Sequence, residues 1–274
     1  MYTGTYKLGI NLMGGTGLSV DGHVAMLKRI GLDGFFTGWE RNLLSEYEAA
    51  AEKYGMIWQS VHAPFHQVRY MWNEGELGEQ VTAELIECVK DCAAHNVPVM
   101  VIHPFIGFED HDPTEVGLAN FGRIIEAADS LGVRLGFENV EGEEYLAAIF
   151  EKYAGHPSLG FCLDTGHELC YNRGKDMLAG YGHALCHTHF NDNIGVTGED
   201  IFWTDDLHLV MGDGIADFAG VMSRIRKTGY DGPLMCELSF ANKPGKNTHD
   251  GYAAMGHEEF YRFALERMRK IAEM

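Results

Sequence analysis

Along the chain, short apolar runs rich in β-branched and aromatic residues alternate with longer stretches in which apolar side chains recur every three to four positions. The runs KLGINL (7–12), GFFTG (34–38), IWQSVHA (57–63), PVMVIHP (98–104), RLGFENV (134–140), LGFCLDT (159–165), LCHTHFN (185–191) and PLMCELSF (233–240) read as strands. Between most of them lie helical segments. Residues 77–95 place Val81, Leu85, Ile86, Val89 and Cys92 on one face, and 114–131, 143–154, 217–229 and 256–272 have the same character. Gly31, Gly55, Gly132 and Gly229 stand where a helix would close in the left-handed conformation. Strands that are apolar almost throughout, each followed by a helix, predict a parallel sheet covered by helices. Eight such units in 274 residues predict an α/β fold, a single (β/α)8 TIM barrel spanning 1–274 as one domain. An open doubly wound sheet is the competing arrangement. GGTG at 14–17 does not complete the GxGxxG turn of a dinucleotide-binding sheet, and no Gly/Ser/Pro-rich linker divides the chain.

The polar residues are placed with equal regularity. Six of the eight strand runs end in a metal-ligand residue type: His62, His103, Glu138, Asp164, His189 and Glu237. An isolated strand-end histidine is more often a core or loop residue, and an isolated aspartate is often the cap of the next helix. Glu138 and Glu237 are harder to place in that way, because a carboxylate inside an apolar strand is costly unless it is paired or metal-bound. In a barrel all carboxyl ends open on one mouth, so the six converge into a ring of imidazoles and carboxylates suited to a divalent cation, zinc or manganese. His167 in DTGH and Asp206 and His208 in DLHLVMGDG extend the set; a helix cap and a solvated loop are their bland alternatives.

Composition changes the picture in two respects. Lys and Arg number 21 against 40 Asp and Glu, a formal charge of −19. Such a surface argues against a nucleic-acid binder, which needs basic groups against phosphates. Glu109, Asp110, Asp112, Glu199, Asp200 and Asp205 fall in predicted mouth loops, where they would repel a duplex. No stretch approaches the roughly 18 apolar residues of a membrane span, and the N-terminus lacks the pattern of a secretory signal. The six cysteines include no CxxC pair, and three of them (162, 186 and 236) lie in apolar runs, so a reduced, cytoplasmic protein is expected. The barrel's outer helices are a surface on which a dimer or tetramer could form.

The motifs VHAPF (61–65), VIHP (101–104), FENVEG (137–142), CLDTGH (162–167), HTHFNDN (187–193), DLHLVMGDGIADF (206–218) and CEL (236–238) resemble, in order, those of the xylose isomerase-like TIM-barrel superfamily. That superfamily joins sugar and sugar-phosphate isomerases and epimerases with AP endonucleases of the endonuclease IV type. The resemblance implies a mononuclear epimerase-type site at Glu138, Asp164, His189 and Glu237. A trinuclear site would add His62 and His103 beside Glu138, with His167, Asp206 and His208 on another ion, so one to three ions are implied. On the first reading the enzyme stabilises an enediolate of a small sugar or sugar phosphate, Glu138 and Glu237 exchange a proton with the substrate, and His167 is a substrate contact or relay. On the alternative reading the chain is a trinuclear zinc phosphodiesterase, with Glu138 bridging two ions. The chain departs from the ketose 3-epimerases after His189, where Gly195 stands near the position of their substrate-binding arginine. A barrel that had lost catalysis would be expected to lack Glu138 or Glu237, and both are present. Arg41, Arg69, Arg173, Lys175, Lys243 and Lys246 are candidate anchors for a substrate phosphate, and Trp39, Phe65, Phe108 and Trp203 are candidate walls for a sugar.

Overall fold

The computed structural model describes residues 4, 6–109, 112–196 and 198–274. Its strands are β1 (Leu8–Asn11), β2 (Gly34–Gly38), β3 (Ile57–His62), β4 (Val99–Ile102), β5 (Arg134–Glu138), β6 (Leu159–Asp164), β7 (Leu185–His189) and β8 (Leu234–Cys236). All paired strands run parallel in the order β7-β6-β5-β4-β3-β2-β1-β8, forming a nearly closed (β/α)8 barrel. The helices are α1 (Val20–Ile30), α2 (Leu44–Tyr54), α3 (Glu76–Ala94), α4 (Glu115–Leu131), α5 (Glu143–Lys152), α6 (Thr165–Leu169), α7 (Met177–Tyr181), α8 (Phe218–Thr228), α9 (Asp250–Ala253) and α10 (His257–Ala272), with a 3-10 turn at Val68–Trp72.

Local sequence sets these boundaries. Ser19, Thr114 and Asp217 cap α1, α4 and α8 by accepting the N–H of Gly22, Gly117 and Gly220. Gly31, Gly55, Gly132 and Gly229 close α1, α2, α4 and α8 with positive φ, as the sequence pattern predicts. The main apolar core lies between sheet and helices, while Val99, Val101, Cys162 and Cys186 form a separate small layer. All six cysteines are buried free thiols.

The last strand is shorter than the apolar run 233–240 predicts. After Cys236 the ladder is taken over by a side chain: Leu238 N–H donates to Asn11 Oδ1 (3.0 Å), and Asn11 Nδ2 donates to Leu238 O (2.9 Å). Between β7 and β8 there is one bridge, Phe190 to Cys236. Phe190 N–H donates to Met235 O (2.7 Å), Glu237 N–H donates to Phe190 O (3.2 Å), and Met235 N–H turns to the hydroxyl of Thr188 (3.0 Å). Among the described residues no helix is long and apolar enough to cross a membrane.

Candidate active site

Side chains two apart on a strand share a face. Ser60 and His187 therefore lie one layer beneath His62 and His189, and they bond to each other, Ser60 Oγ to His187 Nε2, at 3.2 Å. Above them His62, Glu138, Asp164 and His189 end β3, β5, β6 and β7, while His103 and Glu237 follow β4 and β8 by one residue. The structure brings all nine sequence-predicted residues together. Ligand atoms lie within 4.8 Å of one another in each of three sets: His62, His103 and Glu138; Glu138, Asp164, His189 and Glu237, which shares Glu138 with the first; and His167, Asp206 and His208.

Glu138 is the hub. Fully buried, it sets Oε2 against His62 Nε2 (3.3 Å) and His103 Nε2 (3.1 Å), and Oε1 against His189 Nδ1 (2.8 Å). His189 Nδ1 also lies 3.2 Å from Glu237 Oε2, and His208 Nε2 lies 2.8 Å from Asp206 Oδ2. Neither Asp206 nor His208 is a solvated loop residue; the His208 side chain is only 14% exposed, and its backbone is held at φ 53°. A bulky residue adopts that conformation at a cost, one found where side-chain direction matters.

Asp164 does two things at once. It caps α6 by accepting His167 N–H at Oδ1 (2.7 Å), and it accepts Asn191 Nδ2 at Oδ2 (2.7 Å). Asn139 fixes its backbone by accepting Asp164 N–H (2.7 Å) and donating to Asp164 O (2.9 Å). Gly166 makes the Asn191 contact available, since a Cβ there would overlap the Asn191 amide oxygen. Asn139 and Asn191 are functional neighbours that the sequence reading missed, as is Asp192. The Asp192 carboxylate accepts four backbone N–H groups, from Asn193 (2.8 Å), Gly212 (2.8 Å), Gly214 (2.9 Å) and Ala216 (3.0 Å). It thereby staples the loop carrying Asp206 and His208 to the end of β7.

The donor set fits a divalent cation. His62 and His208 each place Nδ1 on a backbone carbonyl, Ala63 O (2.9 Å) and Glu237 O (3.0 Å). A carbonyl only accepts, so Nδ1 carries a proton, and the ring in its neutral form offers its Nε2 lone pair. Those lone pairs face carboxylate oxygens, an arrangement that repels unless a proton or a cation lies between. Asp206 Oδ1 and His167 Nδ1 are moreover buried without a hydrogen-bond partner. Titration follows the same strain. Burial opposes charge throughout the cluster, yet the Asp206 carboxylate outweighs it at His208 and holds that imidazole up at about 9. Burial raises Glu237, but His189 and His208 pull it down to about 2. At Asp164 burial prevails and lifts the carboxyl to about 6, and at His103 burial prevails and lowers the imidazole to about 4. Cys162 also lies close to Glu138 and His189, but burial pushes its thiol up and keeps it protonated, unlike a thiolate ligand.

Two cavities open over the cluster. One, of about 450 Å³, reaches His103, His167 and Asp206; the other, of about 680 Å³, runs past Asn11, Phe36 and Trp39. His62, Phe65, His208 and Glu237 border both. Of the predicted sugar walls, Trp39 lines the larger, Phe108 and Trp203 the smaller, and Phe65 each. Lys243 lines the smaller cavity, its ammonium 5.5 Å from the centre of the Trp203 ring and 3.7 Å from Asp206 Oδ2. Arg41, Lys175 and Lys246 are paired with Asp91, Glu143 and Asp205, and Arg173 donates to Glu199 O. Asp205 is thus buried in an ion pair, whereas Glu109, Asp112, Glu199 and Asp200 face solvent; Asp110 lies outside the described residues. Glu141, another buried carboxylate, accepts Gly107 N–H (2.9 Å) at the edge of the smaller cavity.

A family model described as xylose isomerase-like TIM barrel matches residues 24–273. An uncharacterised protein of Methanocaldococcus jannaschii is 27% identical over 233 residues, 78% of this chain and 72% of that protein. A probable endonuclease 4 of Chloroflexus aurantiacus is 24% identical over 197 residues, 65% of this chain and 66% of its own length. Among solved structures, a 3-keto-D-glucoside 4-epimerase from E. coli superposes with a TM-score of 0.71 at 14% identity, covering 97% of this chain and 98% of its own.

Proposed function

From the premise that the chain belongs to the xylose isomerase-like TIM-barrel family, we propose that it is a cytoplasmic, divalent-metal-dependent isomerase or epimerase of a small sugar or sugar phosphate. The reaction would move a proton at a carbon next to a carbonyl. The observation that carries this reading is a division within one set of side chains. Glu138, Asp164 and His189 are fully buried, while the Glu237 side chain is 21% exposed and borders both cavities. Three members can only hold; the fourth can also reach a substrate. The name of the E. coli neighbour points the same way, since it places the inverted carbon beside a ketone.

Glu138, Asp164, His189 and Glu237 would hold a zinc or manganese ion, which when bound supplies Lewis acidity to a carbonyl oxygen. Glu237 takes up or returns the proton. His167 lines the smaller cavity with Asp206 Oδ1 3.4 Å from its Nε2, an arrangement suited to a relay on the opposite side. Glu138, which the family resemblance implies as a proton-transfer group, is enclosed by imidazoles on both oxygens, so we assign it to holding the cation. Phe65 and Trp39 offer apolar faces to the sugar. His62 and His103 beside Glu138 would hold a second ion, and His167, Asp206 and His208 would hold a third in place of the relay.

A second reading, a trinuclear zinc phosphodiesterase of the endonuclease IV type, is favoured by the way Glu138 faces two ligand sets at once. The exposed acidic residues around the mouth count against a duplex substrate.

The test combines metal counting on chelator-free protein with solvent-proton exchange into a panel of ketoses and ketose phosphates. Glu237→Gln should slow exchange by on the order of 10²–10⁴-fold, the usual contribution of a positioned base. Exchange at the wild-type rate in that variant removes Glu237 from the proposal, and cleavage of an abasic oligonucleotide together with three ions per chain would favour the second reading.

A further inference from the structure

The 450 Å³ cavity over the cluster shares part of its wall with a second space. Gly107 and Phe108 border it and also border a cavity of about 960 Å³ on the far side. Among the described residues this outer cavity is walled by the 3-10 turn after β3, by Phe105, Gly107, Phe108, Glu109, Asp112 and Thr114 ahead of α4, by Tyr145 of α5, and by Phe202. Gly107 sits at the junction with φ 132°, a backbone region that side chains disfavour, and Glu141 pins its N–H. Gly107 adds no side chain to the wall the two spaces share, and Phe108 supplies its aromatic part.

The lining of the outer cavity has a recognisable chemistry. Phe202 and Phe108 are 57% and 39% exposed, high for large apolar rings, and Tyr70 completes the aromatic surface. Exposed aromatics gathered round a concavity mark a binding surface. Around them stand Arg69, Glu109 and Asp112. The Arg69 guanidinium lies 5.0 Å from the centre of the Tyr70 ring. Two carboxylates against one guanidinium disfavour a phosphate. Aromatic faces edged by hydrogen-bonding groups suit a ring that is apolar on its C–H faces and hydroxylated at its rim.

We infer that the substrate is a two-unit carbohydrate, with its reacting sugar over the cation cluster and a second pyranose in the outer cavity against Tyr70, Phe108 and Phe202. This rests on the proposed function for the identity of the inner unit and adds the outer subsite. Each cavity falls within the roughly 300–1,000 Å³ of small-molecule sites, so one sugar ring can occupy each.

The test is calorimetric titration of the metal-loaded protein with glucose, cellobiose and maltose, repeated on Phe202→Ala and Tyr70→Ala. At least one disaccharide should bind about 10-fold more tightly than glucose, and each variant should erase that difference while leaving glucose binding unchanged, as expected for loss of one aromatic contact. The inference is overturned if neither disaccharide exceeds glucose, or if Phe202→Ala shifts both sugars equally or shifts neither. Phe202 contributes its backbone N–H, not its ring, to the bond with Asp205, so Phe202→Ala retains that contact. These affinities are read without turnover. A failure of the outer subsite is thus separable from a failure of the proton-transfer reading, which is judged by exchange in Glu237→Gln.

Discussion

Replacing Asp192 by asparagine exchanges one atom and should cost about as much stability as removing the side chain altogether. In the native protein Oδ1 accepts from Asn193 and Ala216, and Oδ2 accepts from Gly212 and Gly214. An amide can present its oxygen to one of these pairs only. Its NH2 then confronts the other two N–H groups, donor against donor. A buried donor left without an acceptor costs ~1–3 kcal/mol; the bonds from Gly212, Gly214 and Ala216 are only part-buried, so the lower end applies and about 2 kcal/mol is expected. Asp192→Ala deprives all four donors but vacates a polar space that water can enter, so its cost should be no greater. Urea unfolding of the three proteins gives the ordering directly, through the midpoint at constant slope. Because the staple fixes the segment bearing Asp206 and His208, both variants should also retain less metal. An asparagine variant within about 0.5 kcal/mol of wild type, the range of ordinary surface changes, would refute the argument.

Two further outcomes follow from the same geometry. Gly166→Ala drives a methyl group into the Asn191 amide, displacing it from Asp164; it should lower metal affinity well beyond any change in overall stability, and a variant with wild-type metal affinity would show that the clamp is dispensable. His23 is buried, with Nε2 2.8 Å from the Tyr261 hydroxyl, which itself accepts Met13 N–H. Burial lowers its pKa from 6.5 to about 4. The unfolded chain therefore binds this proton first, and stability should fall as pH drops from about 6.5 to 4, by up to about 3 kcal/mol, then level off. His23→Gln should flatten that part of the pH–stability curve, and an unchanged slope would rule out His23 as its source.

The sequence made some of this legible because the chemistry is costly where it sits. Glu138 and Glu237 interrupt apolar runs, and in a parallel barrel the ends of those runs share one mouth, so convergence could be expected before any coordinate. The glycine closures of α1, α2, α4 and α8 could be read for a similar reason, each lying between a periodic segment and the next strand. Asn139, Asn191 and Asp192 gave no such signal. A neutral amide beside a strand end is unremarkable in one dimension, and Asp192 looks like an ordinary loop aspartate until four backbone N–H groups from a segment some twenty residues away are seen to converge on it. The early end of β8 was hidden because it depends on Asn11, at the opposite end of the chain. The outer cavity was hidden because its walls come from four parts of the chain that are unrelated in sequence.

The join between β7 and β8 has a consequence of its own. A hydroxyl stands in there for part of the main-chain ladder, so these are the two staves that part with least resistance. His189 and Glu237, 3.2 Å apart, stand on opposite sides of that join. Any ion gripped by both becomes a clasp on the whole cylinder. Its arrival should be felt as slower hydrogen exchange at the amides of Phe190 and Glu237, and its departure as breathing along the same line, so that the cylinder's tightness and the site's loading rise and fall together.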